Sequence, residues 1–206
     1  MTNVFIESGA SNSNEYNFLK LLIEQCTGKK EKDDYVLITV GGKDNLEKNK
    51  SKFSDHTGDE EKNLVIFDAD TPENNGGFEQ RKKDLTDKLR SMNIQFELFL
   101  FPNNKDDGMF EHLLERIINP KHKRILDCFR MYERCLEQYK NDAGICMYQT
   151  PDEKARIYAY ISAFKRSNSE NERMKNNGFW NFSNPEYWDL QTQYLNPLID
   201  FLQKNL

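Results

Sequence analysis

Three observations predict an α/β fold in which about four mostly parallel strands are flanked by helices, with a C-terminal helical extension. Short apolar runs alternate with amphipathic segments from residue 3 to 102, the pattern of βα units around a mostly parallel sheet. The run Leu64-Val65-Ile66-Phe67 is apolar without interruption, as a strand covered on both faces requires. After Pro102 the period changes, and helical spacing continues to the C-terminus.

Each element follows from local pattern. Strands are predicted at Val4-Ile6, Tyr35-Val40, Leu64-Phe67 and Phe96-Phe101. Phe18, Leu22 and Cys26 recur at i, i+4, i+8 and predict a helix from Asn14 to Cys26, with Gly28 as its stop. Lys43 to Lys62 is highly charged, with Leu46 and Phe53 its only large apolar anchors, and reads as a short frayed helix or loop. Gly76-Gly77 opens a helix to about Met92, which has Phe78, Leu85, Leu89 and Met92 on one stripe and Arg81, Lys82 and Lys83 on the other. Asn103 to Gly108 is a polar turn, and Phe110, Leu113, Leu114, Ile117 and Ile118 fit a helix beyond it. Further helices are predicted at His122 to Lys140, Asp152 to Lys165 and Gln191 to Lys204, with Ser167 to Asn177 as a polar loop.

With 206 residues, 37% hydrophobic and 12% aromatic, the chain has enough apolar mass for a sizeable core. The pattern divides it into an α/β domain over 1–118 and a helical extension over 119–206 packed on it. A net charge of −5 supplies no global basic field, so contact with a polyanion must be local or metal-bridged. Cys26, Cys128, Cys135 and Cys146 form no CxxC pair, and Met1-Thr2-Asn3 runs directly into Val4-Phe5-Ile6. These features predict a cytoplasmic protein with free thiols. The apolar runs fall far short of the roughly 20 residues that cross a bilayer, so no membrane partner is expected.

The chemistry concentrates at strand ends. Glu7 follows the first strand, and Asp68 and Asp70 follow the apolar run of the third at i, i+2. Carboxylates just past the C-terminal ends of parallel strands stand where open α/β sheets bind ligands. If the two strands are neighbours, Glu7, Asp68 and Asp70 meet at one edge. Oxygen donors without a nearby His or Cys favour Mg²⁺ or Mn²⁺ over Zn²⁺, and Mg²⁺ takes substrate phosphate oxygens into its remaining positions. The chemistry this implies is phosphoryl transfer. The plainer reading of Asp68 and Asp70 is a strand-end turn before Thr71-Pro72, and that of Glu7 a loop hydrogen bond.

A glutamate after the first strand and an Asp-x-Asp after a later one, here Glu7 and Asp68-Ala69-Asp70, resemble the Toprim pattern. The span to about Ile118, including Phe99-Leu100-Phe101-Pro102-Asn103-Asn104, Gly108 and Glu111, resembles the bacterial Toprim-related family of unknown function DUF3226. Tyr158-Ala159-Tyr160 and Trp188-Asp189 fit its helical tail. The resemblance implies a Toprim/Rossmann-like four-stranded parallel sheet. It also implies a divalent-metal site like those of topoisomerases, primases, recombination proteins and OLD-type nucleases. The common Toprim form follows its glutamate with glycine and then an aspartate, where this chain has Ser8-Gly9-Ala10-Ser11-Asn12. The next acid, Glu15, is read as complementing the dipole of the first helix and is left outside the ligand set.

The catalytic candidates are therefore Glu7, Asp68, Asp70, Glu111 and Lys154, and the metal candidates Glu7, Asp68, Asp70 and Glu111. Glu111 lies in a first helical turn, where it either complements the dipole or holds a second ion. Lys154 and Arg156 open a helix; either is a solvated residue or a cation stabilising a phosphoryl transition state. Asn103 and Asn104 either shape a turn or orient a phosphate. Arg81-Lys82-Lys83 reads as a solvated helix face. His56, His112 and His122 show no metal or triad spacing, and Tyr158, Tyr160, Trp180, Tyr187 and Trp188 read as packing.

The expected function is divalent-metal-dependent phosphoryl transfer on nucleic acid, a Toprim nuclease of DNA or RNA that contacts its substrate through the bound metal. The alternative is a non-catalytic Toprim-scaffold sensor or partner-binding subunit in a bacterial stress or phage-defence system. The chain has no Gly-rich Lys-Ser/Thr phosphate loop, so any coupled ATPase is a separate partner.

Overall fold

The computed structural model describes residues 1–54, 62–177 and 179–206. In chain order the elements are β1 (Thr2–Ile6), α1 (Asn14–Thr27), β2 (Tyr35–Thr39), β3 (Asn63–Asp68), α2 (Phe78–Ser91) and β4 (Glu97–Phe101), followed by α3 (Phe110–Ile117), α4 (Lys123–Gln138), α5 (Glu153–Ser162), α6 (Asn168–Asn177) and α7 (Asn196–Asn205). The four strands form one parallel sheet in the order β2-β1-β3-β4. The predicted strands and the first two helices lie within one or two residues of these bounds.

Alternation along the strands sorts side chains between two helical layers. Val4, Ile6, Leu64, Ile66, Phe99 and Phe101 face α1, α3 and α7, while Phe5, Val65, Phe67 and Leu100 face Leu85 and Leu89 of α2. Leu46 and Phe53, the two anchors of the charged segment, are buried on the α2 side, where Phe53 stacks on Phe5 with ring centroids 3.7 Å apart. That segment forms short 3₁₀ turns at Lys43–Asn45 and Glu47–Lys52; its remainder, with His56, lies outside the described residues. Among the described residues no helix is long and apolar enough to cross a membrane.

Helix ends match their chemistry. Ser13 caps α1 by accepting the Tyr16 N–H at 3.1 Å, and Gly28 closes it with φ 72°. Asp152 caps α5 through the Ala155 N–H at 2.8 Å.

After residue 118 the predicted elements need four corrections. A 3₁₀ turn at Pro120–His122 precedes α4, another at Gln193–Leu195 precedes α7, and α5 stops at Ser162. The segment Ser167 to Asn177, expected as a loop, forms α6. Ser167 Oγ accepts the Glu170 N–H at 3.3 Å and Glu170 Oε2 accepts the Ser167 N–H at 3.1 Å, a reciprocal cap that starts a polar helix, and Met174 anchors it in the core. The C-terminal helices share the core on the α1 side of the sheet: Leu198 and Leu202 of α7 join Phe18 and Phe99. Tyr160, Trp180, Tyr187 and Trp188 are buried there as packing, with Trp188 Nε1 donating to the Trp180 carbonyl at 2.9 Å.

The loop after β3 is built around one close approach. Asp70 is left-handed at φ 58°, and its carbonyl accepts the Gly108 N–H at 2.8 Å. A Cβ on Gly76 would stand 2.4 Å from Asp70 Cβ and 2.8 Å from the Ala69 carbonyl oxygen, so only glycine fits there without moving backbone. Gly76→Ala is therefore expected to lower unfolding free energy by about 2 kcal/mol, read from the urea midpoint at unchanged m-value.

Candidate functional site

The register pairs Val4, Phe5 and Ile6 with Leu64, Val65 and Ile66, so β1 and β3 end side by side. Glu7 leaves β1 as Asp68 closes β3, and the Asp68 backbone N–H donates to Glu7 Oε2 at 3.1 Å. Asp68 Oδ1 in turn accepts the Phe110 N–H at 2.8 Å, which ties the start of α3 to the end of β3 and sets Glu111 in its first turn at the same edge. The loop after Glu7 returns the chain to the edge it left, and Glu15 in the first turn of α1 accepts the Ser8 N–H at 3.1 Å. Glu7, Glu15, Asp68 and Glu111 all line one cavity of about 580 Å³, whose far wall comes from Lys154 and Tyr158 of α5 and from Trp180. Lys154 is the single cation among the described residues lining it.

Four carboxylates facing one lysine make an electrostatically unfavourable site when all are ionised. Burial pushes the Glu15 carboxyl up to about 8, and the neighbouring charge of Glu7 adds to it. Asp68 is raised well above the usual aspartate range by burial, then by the charges of Glu15, Glu7 and Glu111. Glu7 is raised by burial against its hydrogen bond from Asp68, and Glu111 by burial against the cation of Lys154. Among the described residues, two buried polar atoms of the cavity lining have no partner: Glu15 Oε1 and Trp180 Nε1. Such orphans are rare in folded proteins and call for a ligand, an ion or water.

Glu15 is the residue that sequence reasoning set aside. The short loop from Glu7 to the Ser13 cap was the available signal, since a helix that starts so soon after a strand must begin at that strand's C-terminal edge.

Asp70 is placed differently from the other acids. It forms an ion pair with Arg81 of α2, whose side chain is 1% exposed, and it does not line the cavity. Both charges still act on Glu7, Asp70 raising its carboxyl and Arg81 lowering it. The reading of Arg81 as part of a solvated face is thereby corrected. Lys82 and Lys83 are solvated, while Arg81 turns inward to the acid at the end of the neighbouring loop. Arg156 also leaves the site, pairing with Glu115 at 2.5 Å and Glu133 at 2.8 Å.

Asn103 accepts the Asp106 N–H at 2.9 Å and Asn104 accepts the Leu100 N–H at 3.1 Å, so both amides serve the turn. His112 Nδ1 accepts the Met109 N–H at 2.9 Å, and His122 pairs with Glu186 at 2.7 Å.

Among the described residues no three His, Cys, Asp or Glu side chains stand in a ready-made metal shell. The donor set nevertheless fits a hard cation. It is all oxygen, it carries surplus negative charge, and one of its buried carboxylate oxygens has no partner.

A family model described as a protein of unknown function, DUF3226, matches residues 12–205. No curated protein and no solved structure matches the chain.

Because the folded-state value of Glu15 lies above the ordinary glutamate value of 4.5, the metal-free chain binds more protons folded than unfolded between 4.5 and about 8. The stability linked to Glu15 is fully present below 4.5 and is lost as pH rises through about 8. Thermal melts in chelator are expected to show Tm falling across that window, and Glu15→Gln to flatten the fall. A wild-type Tm rising with pH there would contradict the buried-carboxylate cluster.

Proposed function

The chain belongs to the DUF3226 family, and on that premise we propose that its carboxylate cavity binds Mg²⁺ or Mn²⁺ and transfers phosphoryl groups on nucleic acid, as a Toprim-type nuclease of DNA or RNA. The observation that carries this reading is the meeting of Glu7, Glu15, Asp68 and Glu111 in one cavity at the C-terminal edge of a parallel sheet. Glu7, Asp68 and Glu111 are the residues to hold metal, with Glu15 added to them by its position. A bound divalent ion supplies Lewis-acid polarisation of the phosphate and an activated water.

The protein's own contribution is arrangement and charge. Backbone N–H groups anchor Glu7 and Asp68 at the end of the sheet. Lys154, whose charge already acts on Glu111, is placed to offset negative charge that develops on a phosphoryl group. Asp70 acts at one remove. Paired with Arg81, it holds the loop beyond Asp68, a positioning role rather than that of a ligand.

That pair also favours a second reading, a non-catalytic Toprim-scaffold sensor or partner-binding subunit of a defence or stress system. It withdraws one acid of the Asp-x-Asp motif from the cavity.

Calorimetry with Mg²⁺ and Mn²⁺ on wild type, Glu7→Gln and Asp68→Asn, followed by nicking assays on DNA and RNA, separates the two. Metal binding and cleavage by wild type, with cleavage reduced roughly 10²-fold or more in folded variants, is the expected result. Binding without cleavage supports the sensor, and absence of binding by wild type overturns both metal readings.

Arg81→Met supplies an independent check on Asp70. Circular dichroism should report a folded protein with a lowered Tm, because the substitution leaves the half-buried Asp70 carboxylate without its partner.

A further inference from the structure

Helix α4 is inverted. The side it turns toward the protein is ionic at its centre, where Arg130 pairs with Glu115 at 2.9 Å and buried Glu133 pairs with Arg156 at 2.8 Å. The side it turns to solvent carries an apolar stripe between exposed charged residues, Arg124, Asp127, Arg134 and Glu137. Cys128 and Cys135 are exposed there, Met131 is 55% exposed and Tyr132 50%, all at i, i+3, i+4, i+7 spacing. The stripe continues past the helix end. Tyr139 packs on Tyr148 with ring centroids 5.5 Å apart, across a turn closed by the Lys140–Cys146 bridge. That turn also exposes Ile145 and Met147. Apolar side chains gathered in one exposed stripe of a helix mark an interaction surface.

We propose that this face of α4 pairs antiparallel with the same face of a second copy of the chain, about a two-fold axis near Met131. The segment from Cys128 to Cys135 is self-complementary about that point. Cys128 of one copy meets Cys135 of the other, and Met131 meets Met131 and Tyr132. Charge agrees with the direction. Asp127 and Arg134 border the stripe on one flank of α4, and reversal about Met131 sets Asp127 of each copy beside Arg134 of the other, twice. The three half-exposed tyrosines offer roughly 300 Å² of apolar surface per copy. With Met131, Ile145 and Met147 the patch approaches the about 800 Å² per partner of a standard interface.

Cys128 and Cys135 provide the test. They stand seven residues apart on one helix, about 10.5 Å along its axis, beyond the reach of a disulfide within one chain. In a full-length chain carrying Cys26→Ser and Cys146→Ser, diamide is added as oxidant; each disulfide formed passes two electrons and two protons to it. Sedimentation in reducing buffer is expected to give a dimer. A mixture of the Cys128→Ser and Cys135→Ser versions is expected to cross-link to dimer mass, while neither version cross-links alone. Met131→Glu, at a solvent-facing position, is expected to keep the circular dichroism and reduce the mass to a monomer. A monomer in the parent chain, cross-linking of either single version with itself, or a persistent dimer in folded Met131→Glu overturns the proposal.

Discussion

The parallel pairing of β1 with β3 is the constraint on which the rest of the molecule depends. Neither strand is at an edge, and their shared register ends both at the same level. One backbone N–H, that of Asp68, then falls to a carboxylate, that of Glu7, instead of to another carbonyl of the ladder. From that contact the site propagates outward. Asp68 receives the first turn of α3 and brings Glu111, while the loop after Glu7 delivers Glu15 with α1. Glu7, Asp68 and Glu15 are each anchored at this edge by a main-chain donor. Such anchoring stabilises the charged form even as burial opposes it.

The two faces of the sheet handle charge differently. On the α2 side, Asp70 meets a buried arginine and neutralises it locally. On the α1 side, carboxylates outnumber cations and raise one another's proton affinity. A fully compensated pair suits scaffolding, since separating either partner leaves an isolated charge. An uncompensated cluster suits binding, because a cation that enters relieves repulsion already present.

Sequence made the sheet and the strand-end acids legible, because an uninterrupted apolar run such as Leu64 to Phe67 has few other uses and an acid directly after it is conspicuous. It also located the anchors Leu46 and Phe53 in a segment that is otherwise charge. It did not distinguish Asp68 from Asp70, since the difference lies in a left-handed turn and in Arg81, an arginine that looks like its two solvated neighbours. Glu15 was obscured for a related reason. An acid in a first helical turn always has a sufficient local explanation in the helix dipole, and only tertiary placement reveals the second role. α6 was missed because its polar composition masks a capping box, Ser167 to Glu170, and a single core anchor, Met174.

The cavity draws on distant parts of the chain. Its acids come from residues 7 to 111, but Lys154, Tyr158 and Trp180 complete its wall, and the Trp180 backbone N–H donates to Asn14 Oδ1 at 3.2 Å across 166 positions. During synthesis the residues of the sheet and its acidic edge are therefore made before those of the wall that encloses them. Contacts of such long sequence separation form late, because they wait on both the chain and its loop closure. The enclosed chamber arises only when nearly the whole protein has been made.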